Sequence, residues 1–227
     1  MIPGDIISYP QLCQEEGCNL QRGMNYKLNP LYSVILMSVR PGAPYNDKIS
    51  DDGKVLIYEG HDINKTGAGQ NPKRVDQPER TKNGRLTQNG LFHKAAQQYK
   101  VTKHPEVVRV YEKIKAGIWV YNGFFNLIDS SYEKSGQRYV FKFMLELASA
   151  GPVAEEKIDL SHDRLIPSDV KIKVWQRDHG KCIKCGAADN LHFDHIIPFS
   201  KGGSSKVISN IQLLCARHNL QKRAKIE

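Results

Sequence analysis

The hydrophobic residues of the first 150 positions fall into short runs separated by polar, glycine-containing turns. Runs of this length that are rich in Val, Ile, Tyr and Phe predict β-strands. The predicted strands are Tyr32–Val39, Val55–Tyr58, Val107–Tyr111, Ile118–Leu127 and Tyr139–Leu147. Such a series of strands favours a curved sheet or a barrel.

One segment of the same half, from about Asn89 to Gln98, has the 3.6-residue period of an α-helix. Its apolar positions are Leu91, Phe92, Ala95, Ala96 and Tyr99. The stretch from His61 to Arg85 is polar instead, and it is too long for an ordinary connection. The strands and this helix together predict an α+β fold. We expect the polar stretch to be a functional loop that lies along a nucleic acid.

The pattern breaks at Leu147–Pro152, where small residues, a glycine and a proline lead into a charged stretch. Glycine and proline clusters of this kind mark connections between folded units. We expect a first domain at residues 1–150, a linker at 151–166 and a second domain at 167–227.

The chain carries a formal charge of +9, with an isoelectric point near 9.2. A basic protein favours a polyanionic partner, because clustered Lys and Arg release counterions when they meet phosphates. From residue 157 onward there are 13 Lys and Arg against 7 Asp and Glu. Most of the excess charge therefore lies in the second domain, which indicates that this half binds DNA.

The sequence also restricts the compartment. No run approaches the roughly 18 apolar residues that span a bilayer, and the first residues lack a basic segment followed by an apolar one. We expect a cytoplasmic protein without a membrane partner. Cytosolic thiols stay reduced, so the five cysteines argue against a disulfide framework.

Three of those cysteines lie at metal-ligand spacings. Cys182 and Cys185 form one pair, and Cys215 and His218 form a second pair with the same two-residue gap. Two such pairs can hold one Zn²⁺ in a closed tetrahedral site of the structural type, and a module this small needs such a staple to fold. The alternative is that these are buried cysteines whose spacing is a coincidence.

Between the two pairs lie D-H-I-I-P at 194–198, S-K-G-G at 200–203 and S-N-I-Q-L-L-C at 209–215. Together with C-x-x-C and the terminal H-N, this segment resembles the HNH endonuclease family. The resemblance covers about residues 171–225. It implies a ββα-metal fold, in which a hairpin packs on a helix and holds a catalytic divalent cation.

The local pattern agrees with that fold. A helix is predicted from Ser168 to about Arg177, strands at Leu191–His195 and Ile211–Cys215, and a final helix at Ala216–Lys225.

The family resemblance also implies a role for each motif residue. His195 would be the general base that removes a proton from the attacking water. Asp194 would bind Mg²⁺ or another divalent cation such as Mn²⁺, and Asn219, in the place of the family's last His, would be a second ligand. Asn210 would hold the loop that aims His195. Phosphodiester hydrolysis needs an activated water, neutralised phosphate charge and a stabilised leaving oxygen.

The sequence leaves the roles of two further histidines open. On an extended strand His192 shares a face with Asp194, and we favour a structural or substrate contact over metal ligation. His218 stands where the commonest form of the motif has Cys, although His is a permissible zinc ligand.

The first domain carries a second resemblance. V-L-I-Y-E-G-H-D at 55–62, P-E-V-V-R-V at 105–110 and W-V-Y-N-G-F-F at 119–125 resemble the SRA (SET- and RING-associated) domain, in the order of that family. In the third block Asn122 replaces the Asp of the family's Y-D-G. The resemblance implies a β-rich, PUA-like barrel that flips a 5-modified cytosine out of duplex DNA.

A flipped cytosine needs aromatic faces above and below it and a carboxylate that accepts its exocyclic amine. Tyr45 and Tyr58 could stack on the base, and Asp47 could accept the amine. The alternative is that both tyrosines are ordinary half-buried aromatics and that Asp47 is a turn residue.

Together the two halves predict a modification-dependent restriction endonuclease that cuts double-stranded DNA carrying 5-methylcytosine or 5-hydroxymethylcytosine. One nuclease module cuts one strand, so we expect a homodimer. Two alternatives remain: a reader of modified DNA that does not cut, and an endonuclease that is indifferent to modification.

Overall fold

The computed structural model describes residues 1–50, 53–64, 71–149, 151–152, 165–223 and 225–226. These residues form helices and strands in both halves of the chain, so the predicted α+β class is confirmed. None of the helices within these ranges is long and apolar enough to cross a membrane. Most of the predicted linker, residues 153–164, lies outside the described residues.

Within the described residues, the first half contains two α-helices and eight strands. They are β1 (Ile6–Ser8), α1 (Tyr9–Glu15), β2 (Met24–Asn29), β3 (Tyr32–Met37), β4 (Lys48–Ile49), β5 (Val55–Glu59), α2 (Gln88–Thr102), β6 (Glu106–Lys115), β7 (Ile118–Ser135) and β8 (Arg138–Leu147). All five strands and the helix that the pattern predicts are present. β7 runs eight residues beyond its predicted end, because its polar second half stays paired with β8 as far as Ser135.

The strands of this half form one sheet in the order β2-β3-β6-β7-β8-β5-β4, and β1 pairs with β7. β3 and β6 are parallel, and the other neighbours are antiparallel. A hydrophobic core that includes Phe92 of α2 covers part of this sheet, and a second core that includes Leu12 of α1 covers another part. β7 contributes Leu127 to the first core and Tyr121 to the second.

The second half is smaller. It contains α3 (Ser168–Arg177), β9 (Leu191–His195), β10 (Ile211–Cys215) and α4 (Ala216–Lys222). β9 and β10 form an antiparallel hairpin in which Ile211 faces His195. The hairpin and α3 have their predicted bounds, whereas α4 ends three residues before its predicted end. It ends because Arg223 adopts a left-handed φ of 49° at the helix terminus.

The two halves share a third hydrophobic core. Ile114 of β6 and Val120 of β7 pack in it with Val170 and Val174 of α3 and Phe193 of β9. The structure therefore joins the sheet of the first half to the hairpin of the second through buried apolar contacts.

The first five residues make a further connection between the halves. The backbone N–H of Gly4 donates to Tyr121 O at 2.8 Å, and its carbonyl accepts from Phe193 N at 3.2 Å. This segment thus lies between β7 and β9 and hydrogen-bonds to both strands.

Candidate nuclease site and metal centre

The β9–β10 hairpin places two neighbouring functional groups in a buried position. Asp194 and His195 end β9 and are only 7% and 6% exposed. Asp194 lies opposite Gln212 in the strand register, and the Gln212 amide donates to Asp194 Oδ2 at 3.0 Å. Cross-strand pairing therefore sets the orientation of the carboxylate.

Lys222, at the end of α4, is the second partner of that carboxylate. Its Nζ lies 3.0 Å from Asp194 Oδ2 and donates to the backbone carbonyl of His195 at 2.6 Å. The side chain is buried, and the carboxylate and the carbonyl supply the partners that a buried Lys requires. Sequence reasoning missed this residue because it reads as one of several basic residues at a helix end.

The His195 ring is held by a hydroxyl. His195 Nε2 lies 2.8 Å from the Oγ of the buried Ser205. This contact fixes one ring nitrogen and therefore the plane of the imidazole. Ser205 follows the S-K-G-G motif, and the sequence offered no signal beyond that proximity.

Asn210 binds the loop between the two strands. Its Oδ1 accepts from Ile197 N at 2.8 Å, and its Nδ2 donates to the carbonyls of Ile197 and Ser204 at 3.1 Å each. The loop passes so close that a Cβ on Gly203 would lie 1.7 Å from Ile197 O. Glycine is therefore required at 203, and the Asn210 amide holds the loop that follows His195.

Asn219 lies in α4, which packs on both β9 and β10. Its side chain is half-buried, and within the described ranges it makes no hydrogen bond. Asp194 Oδ1 likewise has no hydrogen-bond donor among the described residues, since both donors bind Oδ2. A carboxylate oxygen and an amide oxygen suit a hard cation such as Mg²⁺, which keeps several waters. The donor chemistry thus fits a divalent cation.

The four predicted zinc ligands lie together. Their ligand atoms are all within 4.8 Å of one another. Nδ1 of His218 is 3.4 Å from the sulfurs of both Cys182 and Cys215, and the sulfurs of Cys185 and Cys215 are 3.8 Å apart. A tetrahedral Zn²⁺ with bonds of about 2.0 Å to nitrogen and 2.3 Å to sulfur separates its ligands by about 3.5–3.8 Å. Both the donor set and the spacing therefore fit Zn²⁺.

The surroundings of Cys182 favour the thiolate that a metal requires. Burial raises the pKa of this thiol, but backbone N–H groups around the cluster and the His218 ring outweigh burial and lower the pKa to about 6. The thiolate is the ligand form of cysteine. Coincidentally buried cysteines have no need of such an arrangement.

His192 binds a residue outside the predicted catalytic pair of Asp194 and His195. Its Nδ1 is 2.5 Å from Oδ1 of Asp5, in the segment that runs between β7 and β9. This contact agrees with the structural alternative of the structural or substrate-contact role that we favoured.

The three residues of the predicted base pocket are neighbours, although each has its own partners. Asp47 accepts from the backbone N–H of Ser38 and Glu59, and burial raises its pKa to about 6. Tyr58 lies in the first hydrophobic core, where burial raises its pKa. The ammonium of Lys73 lies 3.8 Å from the centroid of the Tyr45 ring.

Residues 182–225 match the model of the HNH endonuclease family. The hairpin, the helix α4 and the Cys₃His cluster all lie within this segment, so the family match covers both candidate sites of the second half. A search of curated proteins found no matching sequence.

Among solved structures, the chain is similar to the SRA domain of SUVH5 in two DNA complexes. The complex with methylated CHH DNA has 22% identity and a TM-score of 0.46, over 67% of this chain and 92% of that one. The complex with fully hydroxymethylated CG DNA has 23% identity and a TM-score of 0.45, over 67% and 95%. The modification-dependent TagI restriction endonuclease has 19% identity and a TM-score of 0.41, over 96% of this chain and 76% of that one.

Proposed function

We propose that this protein is a DNA endonuclease that recognises 5-modified cytosine and hydrolyses a nearby phosphodiester bond. The observation that carries the nuclease half is the pair Asp194 and His195. Both are buried and oriented at the end of a hairpin, inside a segment that matches the HNH family.

In the proposed mechanism the imidazole of His195 removes a proton from a water molecule, and that water attacks the scissile phosphorus. Ser205 fixes the ring plane, and Asn210 holds the adjoining loop. Asp194 Oδ1 and the Asn219 amide would hold Mg²⁺ or Mn²⁺, which supplies charge neutralisation at the phosphate and at the departing oxygen. The Cys₃His cluster would bind Zn²⁺ as a structural staple.

The recognition half of the proposal rests on residues of the first domain. Asp47 is a buried acceptor beside Tyr45 and Tyr58, and cytosine recognition needs an acceptor and aromatic faces. Tyr58 would have to leave the first hydrophobic core to stack on the base. In this structure Lys73 covers the Tyr45 ring and pairs with Asp62 at 2.8 Å. A base that stacks on this face of Tyr45 would therefore displace the Lys73 ammonium.

Three further expectations belong to this proposal. The substrate would be double-stranded DNA with 5-methylcytosine or 5-hydroxymethylcytosine. Two copies of the chain would be needed for a double-strand break, since each carries one nuclease module. The cytoplasm is the compartment we favour, because Zn²⁺ ligation requires reduced thiols.

A cleavage assay on three duplexes tests the proposal. The duplexes differ in one cytosine, which is unmodified, 5-methylated or 5-hydroxymethylated, and each is incubated with and without Mg²⁺. We expect Mg²⁺-dependent cleavage of a modified duplex at least tenfold faster than of the unmodified one. Equal cleavage of all three would favour the nuclease that is indifferent to modification. Binding of modified DNA without cleavage would favour the reader.

A further inference from the structure

The contact between the two halves contains a buried charge that neither proposed site uses. Lys171 of α3 is 2% exposed and belongs to the second half of the chain. Its Nζ donates to Glu112 Oε2 on β6 and to Asn122 Oδ1 on β7, at 2.7 Å each. One ammonium of the nuclease half is thus bound by two side chains of the other half.

These three residues, Lys171, Glu112 and Asn122, form a closed triad. The Asn122 amide donates to Glu112 Oε2 at 3.1 Å while its carbonyl oxygen accepts from Lys171. An Asp at 122 could not donate, and it would place a second carboxylate against Glu112. Asn122, which replaces the Asp of the family's Y-D-G, therefore suits a position between Glu112 and Lys171.

Such a triad specifies a position more than it adds stability. Burying an ion pair costs about as much in desolvation as the attraction returns, so its net contribution is small. The apolar contacts of the shared core are non-directional and tolerate small shifts. The hydrogen bonds of Lys171 weaken outside a narrow range of distance and angle, so they constrain the placement of α3 on β6 and β7.

The triad lies close to the proposed catalytic hairpin. Asn122, Lys171, Phe193 and His195 line the same cavity, of about 20 Å³, which is room for about one water. α3 packs against β10, and β10 pairs with β9 so that Ile211 faces His195. A shift of α3 on the sheet would therefore also move the strand that carries His195.

We propose that the triad of Lys171, Glu112 and Asn122 sets the distance between the recognised base and the cut phosphate. This inference rests on the proposed function and makes Lys171 a positioning residue. Successive base pairs are about 3.4 Å apart, so a shift of a few ångströms between the halves moves the cut by one nucleotide.

The test compares Lys171→Met with Lys173→Met, which removes an exposed ammonium from the same helix. A duplex with a single modified cytosine is cut, and the ends are mapped at nucleotide resolution. We expect wild type and Lys173→Met to cut at one or two positions per strand. In Lys171→Met the fraction of cuts at the main position should fall at least twofold, with zinc content unchanged.

An unaltered cut position in a folded, zinc-loaded Lys171→Met protein would overturn the inference. If Lys171→Met does not fold, Asn122→Ala is tested instead, because it removes the amide that binds both Glu112 and Lys171. The fraction of cuts at the main position should fall at least twofold in that variant too. Hydrogen exchange gives a readout that does not depend on cleavage: backbone amides of α3 should exchange faster in Lys171→Met than in wild type, because the helix is then held on β6 and β7 by apolar contacts alone. If wild type fails to cut DNA, the proposed function fails, and unchanged exchange of α3 in the variant would then overturn the positioning role as well.

Discussion

The carboxylate of Asp194 has two donors on one oxygen, and this shapes the chemistry of the site. Gln212 and Lys222 both bind Oδ2, which directs the other oxygen away from them. Among the described residues, Asp194 is the carboxylate that balances the charge of this buried ammonium. Removing the ammonium would leave a buried carboxylate and the His195 carbonyl without this partner.

We expect Lys222→Met to lower the free energy of unfolding by about 3 kcal/mol, the usual cost of breaking a buried pair on one side. Urea denaturation with zinc present measures the change. Lys225→Met is the matched control, because Lys225 is exposed near the same helix end. Equal stability of the two variants would contradict the assigned role of Lys222.

A second residue-scale prediction concerns Asp47, whose pKa burial raises to about 6. Above that pH the carboxylate is ionised and accepts well from the cytosine amine; below it the carboxyl binds a proton, becomes a weaker acceptor and gains an O–H that opposes the amine. Every cytosine carries this amine, so the affinity for a duplex with one modified cytosine should fall below pH 6, by up to tenfold per pH unit. Fluorescence anisotropy without Mg²⁺, from pH 5 to 8, measures the dissociation constant. Asp47→Asn should show no step near pH 6, and a persisting step would assign it to another group.

Sequence could predict the residues that a motif brings together, and it missed those that meet through the fold. Asp194 and His195 are adjacent in the chain, and the zinc ligands come in two short pairs. Lys222, Ser205 and Glu112 take their roles from partners that lie 10 to 59 residues away. Nothing local in a Lys or a Ser indicates such a partner.

At the scale of elements, the hairpin and α4 depend on the metal cluster at their base. Cys215 ends β10, and His218 lies in the following helix, so one ion would connect both to the turn at Cys182 and Cys185. The turn also contacts the hairpin through its backbone, where Ile183 N donates to Leu213 O at 3.0 Å.

We therefore expect Cys182→Ser to lose about one equivalent of zinc and to unfold the second half, since small zinc modules fold only with their metal. His195→Ala should keep its zinc and its fold. Zinc analysis and a thermal melt distinguish the two variants. Full zinc content with an unchanged melt in Cys182→Ser would contradict the staple.

The elements that the pattern missed are short or lie at the edge of the sheet. β4 has two residues, and β2 ends the strand order with a largely polar sequence, so neither has a buried alternating face. α1 begins with a capping box between Ser8 and Gln11, a signal that was present in the sequence. The extension of β7 past Leu127 depends on pairing with β8, which no local pattern reveals.

At the scale of the whole molecule, the two halves predicted from sequence are not independent units. They share a hydrophobic core, the Lys171 triad and the hydrogen bonds of Gly4. Composition can suggest a boundary near residue 150, but contacts between residues so far apart in the chain cannot be predicted from local patterns.

We expect Asn122→Asp to destabilise the protein by about 2 kcal/mol at pH 8, because two buried carboxylates would then face one ammonium. The like charges should raise the pKa of one carboxylate, so the loss should shrink as the pH falls towards 5 and that group binds a proton. Denaturation at both pH values measures this. Asn126→Asp, on the same strand but half-buried, is the control, and equal losses in both variants would contradict the triad's role.

The most direct test of the central claim is the rate at which wild type and His195→Ala cut a duplex with one modified cytosine in Mg²⁺, at equal zinc content. His104→Ala, which removes an exposed histidine, is the control. A general base typically contributes about 10² to 10⁴ in rate, so His195→Ala should be slower by at least a hundredfold while the control matches wild type. Cleavage by His195→Ala at the wild-type rate would contradict the assignment of the nuclease site.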